Sequence, residues 1–186
     1  MSYEYSEGYK IRNQSATHFL TFTIEGWIDI FSRKEYRDMI IDSFNYCRSK
    51  KQLKIHGFVI MTNHIHTIWT AQNGNLSDIV RDFKTHTSKL FVNYIQDSSK
   101  ESRKEWLLHM FQFYANQIAK NKYFKVWKSN SHPEEVISKD FFLQKLTYIH
   151  DNPVRAGIVA QQHDYLYSSA SNYVHNSGLM DVDFLF

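Results

Sequence analysis

Residues 53–71 read LKIHGFVIMTNHIHTIWTA. Two runs rich in β-branched and aromatic residues, Leu53 to Met61 and His64 to Ala71, flank the dipeptide Thr62-Asn63. That is the pattern of two strands joined by a tight turn. In the second run, the period of two aims His64 and His66 at one face and sends Ile65 into the opposite layer. Two neutral imidazoles converging on one point make half of a divalent-metal site. The plain alternative is two histidines that merely share a sheet face.

The flanking sequence places this hairpin in a larger plan. Thr17 to Gly26 (THFLTFTIEG) alternates β-branched, aromatic and polar types and predicts a first strand. From Ser32 or Arg33 to Lys51, the apolar positions Tyr36, Ile40, Ile41, Phe44 and Cys47 recur at helical spacing. Arg48, Lys50 and Lys51 crowd the end of that helix, where cations complement its dipole. After the loop Gln72-Asn-Gly-Asn, a helix from about Leu76 would bury Ile79, Phe83, Leu90 and Tyr94. Strand, helix, strand, strand, helix is the opening of a split βαβ plan. Tyr123 to Trp127 is the candidate fourth strand, and Ser98 to Lys122 reads as a polar loop plus one inserted helix. A later helix from about Ser138 to Asp151 carries Phe142, Leu146 and Ile149 as its core stripe. The expected fold is α+β: a ferredoxin-like split βαβ antiparallel sheet, with helices on one face and additional C-terminal helices. The whole chain, 1–186, is expected to form one domain carrying an insertion at about 98–122.

Composition narrows the class. Hydrophobic content of 42% with 22% charged residues excludes wholesale disorder. The N-terminus has no basic and apolar leader pattern, and no run approaches the length of a membrane span. Cys47 is the only cysteine, so a reducing compartment is the default and a cytoplasmic location is expected. A net charge of +3 leans only weakly toward nucleic acid. The 16% aromatic content interleaved with Lys and Arg strengthens that lean, because bases stack on aromatic faces beside cations. Most of those aromatics are nevertheless expected in the core.

The late helix contains Lys145-Leu-Thr-Tyr148-Ile-His150-Asp-Asn152-Pro153. Tyr148 and Asn152 are four apart and share a helix face, offset from the apolar stripe. Opposite the two imidazoles, they would complete three metal ligands and one nucleophile. A metal there would polarise a phosphate ester while the phenolate attacks phosphorus. A mixed imidazole and carbonyl donor set suits Mg²⁺ or Mn²⁺ better than Zn²⁺. The ordinary alternative makes Asn152 a cap, with Pro153 opening a short helix to Gly157. Tyr148 would then be an amphipathic edge residue.

At this point the chain resembles a known family. Phe58-Val-Ile-Met-Thr-Asn-His64-Ile-His66 resembles the His-hydrophobic-His block of the Y1 transposases of IS200/IS605 type. Tyr148-Ile-His-Asp-Asn152-Pro-Val-Arg-Ala-Gly-Ile-Val159 resembles the second signature of their REP-associated tyrosine transposase branch. The motifs lie in the family's order, and Trp127 matches a tryptophan usual before the second block. The resemblance spans roughly Lys10 to Tyr173. It implies His64 and His66 as metal ligands, Tyr148 as the nucleophile that retains a 5′-phosphate, and Asn152 as third ligand, where IS200-type relatives use glutamine. It further implies DNA recombination: nicking and rejoining of single-stranded or hairpin DNA, with a homodimer as one family arrangement.

DNA-binding candidates are Lys10 and Arg12 before the first strand, and Arg81, Lys84 and Lys89 on the second helix. Lys125, Trp127 and Lys128 form another group, and His150 and Arg155 flank the tyrosine. For each cation, a solvated surface position is the ordinary reading. Two rival functions stand beside the transposase. One is a hydrolytic metallonuclease, which would leave no covalent adduct. The other is a non-catalytic nucleic-acid-binding module, a domesticated relative that stacks bases on sheet aromatics such as Phe58 or Trp69.

Overall fold

A computed structural model describes residues 10–117 and 123–186. The hairpin forms as the sequence predicts: β2 (Leu53–Ile60) and β3 (His64–Ala71) pair antiparallel, with Val59 opposite His66. β1 (His18–Thr23) pairs antiparallel with the other edge of β3, placing Thr21 opposite His66 and Thr23 opposite His64. The sheet order is β2-β3-β1-β4, so β3 lies inside it. α1 (Lys34–Lys51) connects β1 to β2, and α2 (Leu76–Asp97) follows β3. The α+β antiparallel sheet expected from the sequence is therefore the observed one.

Alternation along the strands sorts the two faces. Phe22, Phe58 and Trp69 point to one side and meet Phe44 of α1 and Phe83 of α2. All five are fully or almost fully buried. α2 contributes Ile79, Phe83, Phe91 and Ile95 to this core, whereas the expected Leu90 and Tyr94 pack at its margin. The core stripe is thus displaced by one residue in the second half of that helix.

The fourth strand is not Tyr123 to Trp127. That segment makes one isolated bridge, Ile24 with Trp127, and the ladder beside β1 is completed by β4 (Glu134–Glu135). The reason is Trp127 itself. Its ring enters the core beside Phe22, Phe31, Phe83 and Phe91, and its Nε1 donates to Thr87 Oγ1 at 2.9 Å. α3 (Lys104–Asn116) is the inserted helix; residues 118–122 of the expected insertion lie outside the described residues.

The opposite face of the sheet is covered by α4 (Lys139–Arg155). Ser138 caps its start, accepting from Phe141 N at 3.1 Å. Phe142, Leu146 and Ile149 are buried against the sheet, as their spacing predicts. Gly57 allows the close approach: a Cβ there would lie 2.6 Å from Leu146 Cδ1. The helix runs on past the expected stop at Asp151. Pro153 sits inside its last turn, and the end is a Schellman arrangement at Gly157, whose φ is +70°. Ile158 N donates to Pro153 O and Gly157 N to Val154 O, both at 2.9 Å, satisfying carbonyls that a free end would leave bare. The chain then lines the outer edge of β2, through Ile60 N to Tyr167 O and Ser169 N to Phe58 O, and includes α5 (Ala170–His175).

Candidate active site

His64 and His66 project from β3 toward α4, with ring centroids 4.8 Å apart. Tyr148 stands beside His66: its ring centroid lies 5.1 Å from that imidazole and 6.1 Å from Phe19. The tyrosine is 39% exposed, whereas His66 is only 7% exposed. The site is therefore open on the phenol side and walled on the imidazole side. All three side chains belong to one chain, so no second copy is needed to bring them together.

Each imidazole is held at Nδ1. His64 Nδ1 donates to Asn63 Oδ1 at 2.7 Å, because a carboxamide oxygen can only accept. His66 Nδ1 is 2.9 Å from Thr21 Oγ1, its cross-strand neighbour. Among the described residues neither Nε2 has a hydrogen-bond partner. This is the arrangement that fixes metal-ligating histidines, with one nitrogen anchored and the other presented. Burial lowers the pKa of His64, and it takes His66 down to about 3, with further depression from His64 and the Lys145 ammonium. Both rings are thus neutral at pH 7 and carry the lone pair that ligation requires.

Asn152 is half-buried, one turn beyond Tyr148 on the same helix face. α4 advances along β2 from the level of His56, which meets Phe142, toward Phe58, whose carbonyl and N–H are bound by Ser169 beside His150. Among the described residues no three His, Cys, Asp or Glu side chains gather at one point. The side-chain carbonyl oxygen of Asn152 is a donor of the type that a hard cation accepts beside imidazoles. The residues present fit a hard divalent cation held by two imidazoles and one carbonyl oxygen.

The other expected site residues separate into near and remote. Arg155 is exposed and its guanidinium carbon is 5.8 Å from the Tyr148 ring centroid. Lys128 lies at the His64 end, its ammonium 4.2 Å from the Trp27 ring. Lys10 and Arg12 are exposed before β1. Arg81 is paired with Asp78 and Asp82. Lys84 ties α2 to the 128–131 segment through Lys128 O, Ser129 O and Ser131 Oγ. Lys125 forms an ion pair with Glu25 at 2.6 Å. Two expectations are corrected. Trp127 is a core residue rather than a stacking surface. His150 faces away from the tyrosine, 5% exposed, with Nε2 2.9 Å from Ser169 Oγ. Phe58 and Trp69 are completely buried, so the sheet offers neither as a platform for bases.

Sequence reasoning missed Thr21, Asn63, Trp27 and Lys145. Thr21 and Asn63 could have been found from β pairing and from adjacency to the histidine pair. Lys145, one turn before Tyr148, pairs with Glu134 at 2.7 Å and caps the Phe19 ring at 4.6 Å, both consequences of tertiary packing.

The fold and this constellation define a class: an α+β sheet with a histidine pair on an inner strand and a tyrosine on a packed helix. A family model described as "Transposase IS200 like" matches residues 17–129, and the chain belongs to that family. Membership places it in a nuclease and strand-transferase class that is generally metal-dependent. The matched span includes both histidines and ends before α4. A solved structure titled as a REP-associated tyrosine transposase bound to a REP hairpin is similar in fold, with a TM-score of 0.61 and 18% identity. That similarity covers 100% of this chain and 92% of the other. No curated protein sequence matches significantly. Among the described residues, no helix is long and apolar enough to cross a membrane.

Proposed function

We propose that this protein nicks and rejoins single-stranded or hairpin DNA through a 5′-phosphotyrosine at Tyr148, acting in the cytoplasm. The observation that carries the reading is the approach of Tyr148 to His66, across the sheet–helix interface. His64, His66 and Asn152 would hold Mg²⁺ or Mn²⁺. When bound, the ion supplies positive charge to a non-bridging oxygen of the scissile phosphate.

The chain's own groups account for the rest. Tyr148 Oη loses its proton and attacks phosphorus; the bond from phosphorus to the 3′-oxygen breaks, and that oxygen leaves as a hydroxyl. The ester is exchanged rather than hydrolysed, so a DNA 3′-hydroxyl can reverse the step and reseal a strand without ATP. Arg155, whose guanidinium lies 5.8 Å from the phenol ring, would contact the phosphate. Thr21 and Asn63 hold the imidazoles in the presenting orientation.

Oligonucleotides tiled across the DNA flanking its own gene, incubated with the protein and Mn²⁺, should yield a covalent adduct on denaturing gels. EDTA should abolish it. Tyr148→Phe should bind the same strand and form no adduct. A Phe variant with undiminished adduct would end the assignment, and cleavage without an adduct would favour water as nucleophile.

A further inference from the structure

Trp27 stands out as an exposed aromatic in a costly backbone conformation. Its φ is +57° and that of the preceding Gly26 is +64°. A bulky residue in the left-handed region is strained, and such strain persists where surrounding structure imposes it. Gly26 is confined as well, since a Cβ there would meet the Tyr114 hydroxyl at 2.5 Å. The ring so displayed is 57% exposed and lies 6.2 Å from His64, edge to face.

The ring is also fixed. The Lys128 ammonium sits 4.2 Å from its centroid, a cation–π contact covering one face. The Asn63 carboxamide binds at both ends: Nδ2 donates to Trp27 O at 3.3 Å, while Oδ1 accepts from His64 Nδ1. One side chain thereby couples the orientation of the candidate ligand to the backbone that carries the indole.

We infer that Trp27, clamped by Lys128, is the stacking platform for an unpaired nucleobase beside the phosphate that Tyr148 attacks. This rests on the functional reading above and adds which protein surface holds the strand there. Phe58 and Trp69 are buried in the core and unavailable, whereas Trp27 is more than half exposed and next to the histidine pair. A duplex base has its faces occupied by neighbours, so the platform selects single-stranded DNA near the site.

The test compares a fluorescent dT20 with an abasic deoxyribose 20-mer of equal charge, by anisotropy in EDTA. Wild type should prefer the base-bearing strand. Trp27→Gly suits the left-handed backbone, so a loss reports the ring rather than misfolding. It should weaken dT20 binding by about 5- to 100-fold and leave the abasic strand unchanged, while Trp27→Phe keeps most of the preference. Equal affinities of the two strands for wild type, or a glycine variant that retains the preference or loses both strands equally, would overturn the platform. No cleavage occurs in EDTA, so the adduct assay stands or falls separately.

Discussion

Two pairs of histidines meet at the interface between the sheet and α4, and they differ in what their Nε2 atoms face. His56 engages both nitrogens, Nδ1 with Asp183 O at 2.6 Å and Nε2 with Thr70 Oγ1 at 2.8 Å. His150 spends Nε2 on Ser169 Oγ. His64 and His66 are anchored through Nδ1, and among the described residues their Nε2 atoms have no hydrogen-bond partner. Burial is similar for His56, His66 and His150, at 2%, 7% and 5% exposed, so burial does not separate a structural imidazole from a proposed ligand. The distinction is whether the fold itself has satisfied the outward nitrogen.

Substitution should separate the pairs by kind of effect. His66→Ala is expected to abolish metal-dependent adduct formation and metal binding by calorimetry, while leaving a folded protein by circular dichroism. His150→Ala should do the reverse. Removing its ring takes one of the buried Ser169 Oγ partners, leaves only the Phe58 backbone contacts, and opens a void beside Tyr173, costing about 1–3 kcal/mol of stability. Adduct yield per folded molecule should stay near wild type. A His150→Ala variant that folds normally but forms no adduct would dissolve the contrast.

The next effect is smaller and concerns what orients the ligand. Thr21→Val keeps shape and removes the hydroxyl from His66 Nδ1. Metal affinity is expected to fall about 10- to 100-fold, as for other partners that hold a ligating imidazole. Thr21→Ser should restore it. Unchanged Mn²⁺ affinity in the valine variant would show that packing against Phe19 and Tyr148 alone sets the ring.

How much of this was legible without coordinates follows from the range of each interaction. The His64/His66 pair, Tyr148/Asn152 spacing and the Phe142, Leu146, Ile149 stripe are local periodicities, and a strand or helix fixes them wherever it lies. Trp127 was misassigned because aromatic, β-branched runs look alike whether they join a ladder or fill a core. Only the reach of its Nε1 to Thr87 decides between them. Pro153 misled in another way: proline usually marks a boundary, yet the Gly157 termination accommodates it in the final turn. Lys84, Lys125 and Arg81 counted as basic surface in the sequence, but carbonyl and carboxylate partners distant or adjacent in the chain already occupy them.

The smallest predicted difference lies in how stability responds to acid. Burial lowers the pKa of His56, against opposing contributions from the Asp183 carbonyl and carboxylate. The unfolded chain binds the proton more readily than the folded one, so ∂ΔG/∂pH is positive between the folded pKa and the ordinary histidine value of about 6.5. The stability contribution is complete above that range and is lost as pH falls through it. Gln at position 56 can hydrogen-bond but cannot titrate there. Urea melts from pH 7.5 to 5 should therefore show a shallower decline for His56→Gln than for wild type. His64, His66 and His150 titrate in the same sense, so the informative quantity is the difference between the two curves. Parallel curves would mean that His56 accepts its proton without disturbing the fold, and would remove it from the class of structurally satisfied imidazoles.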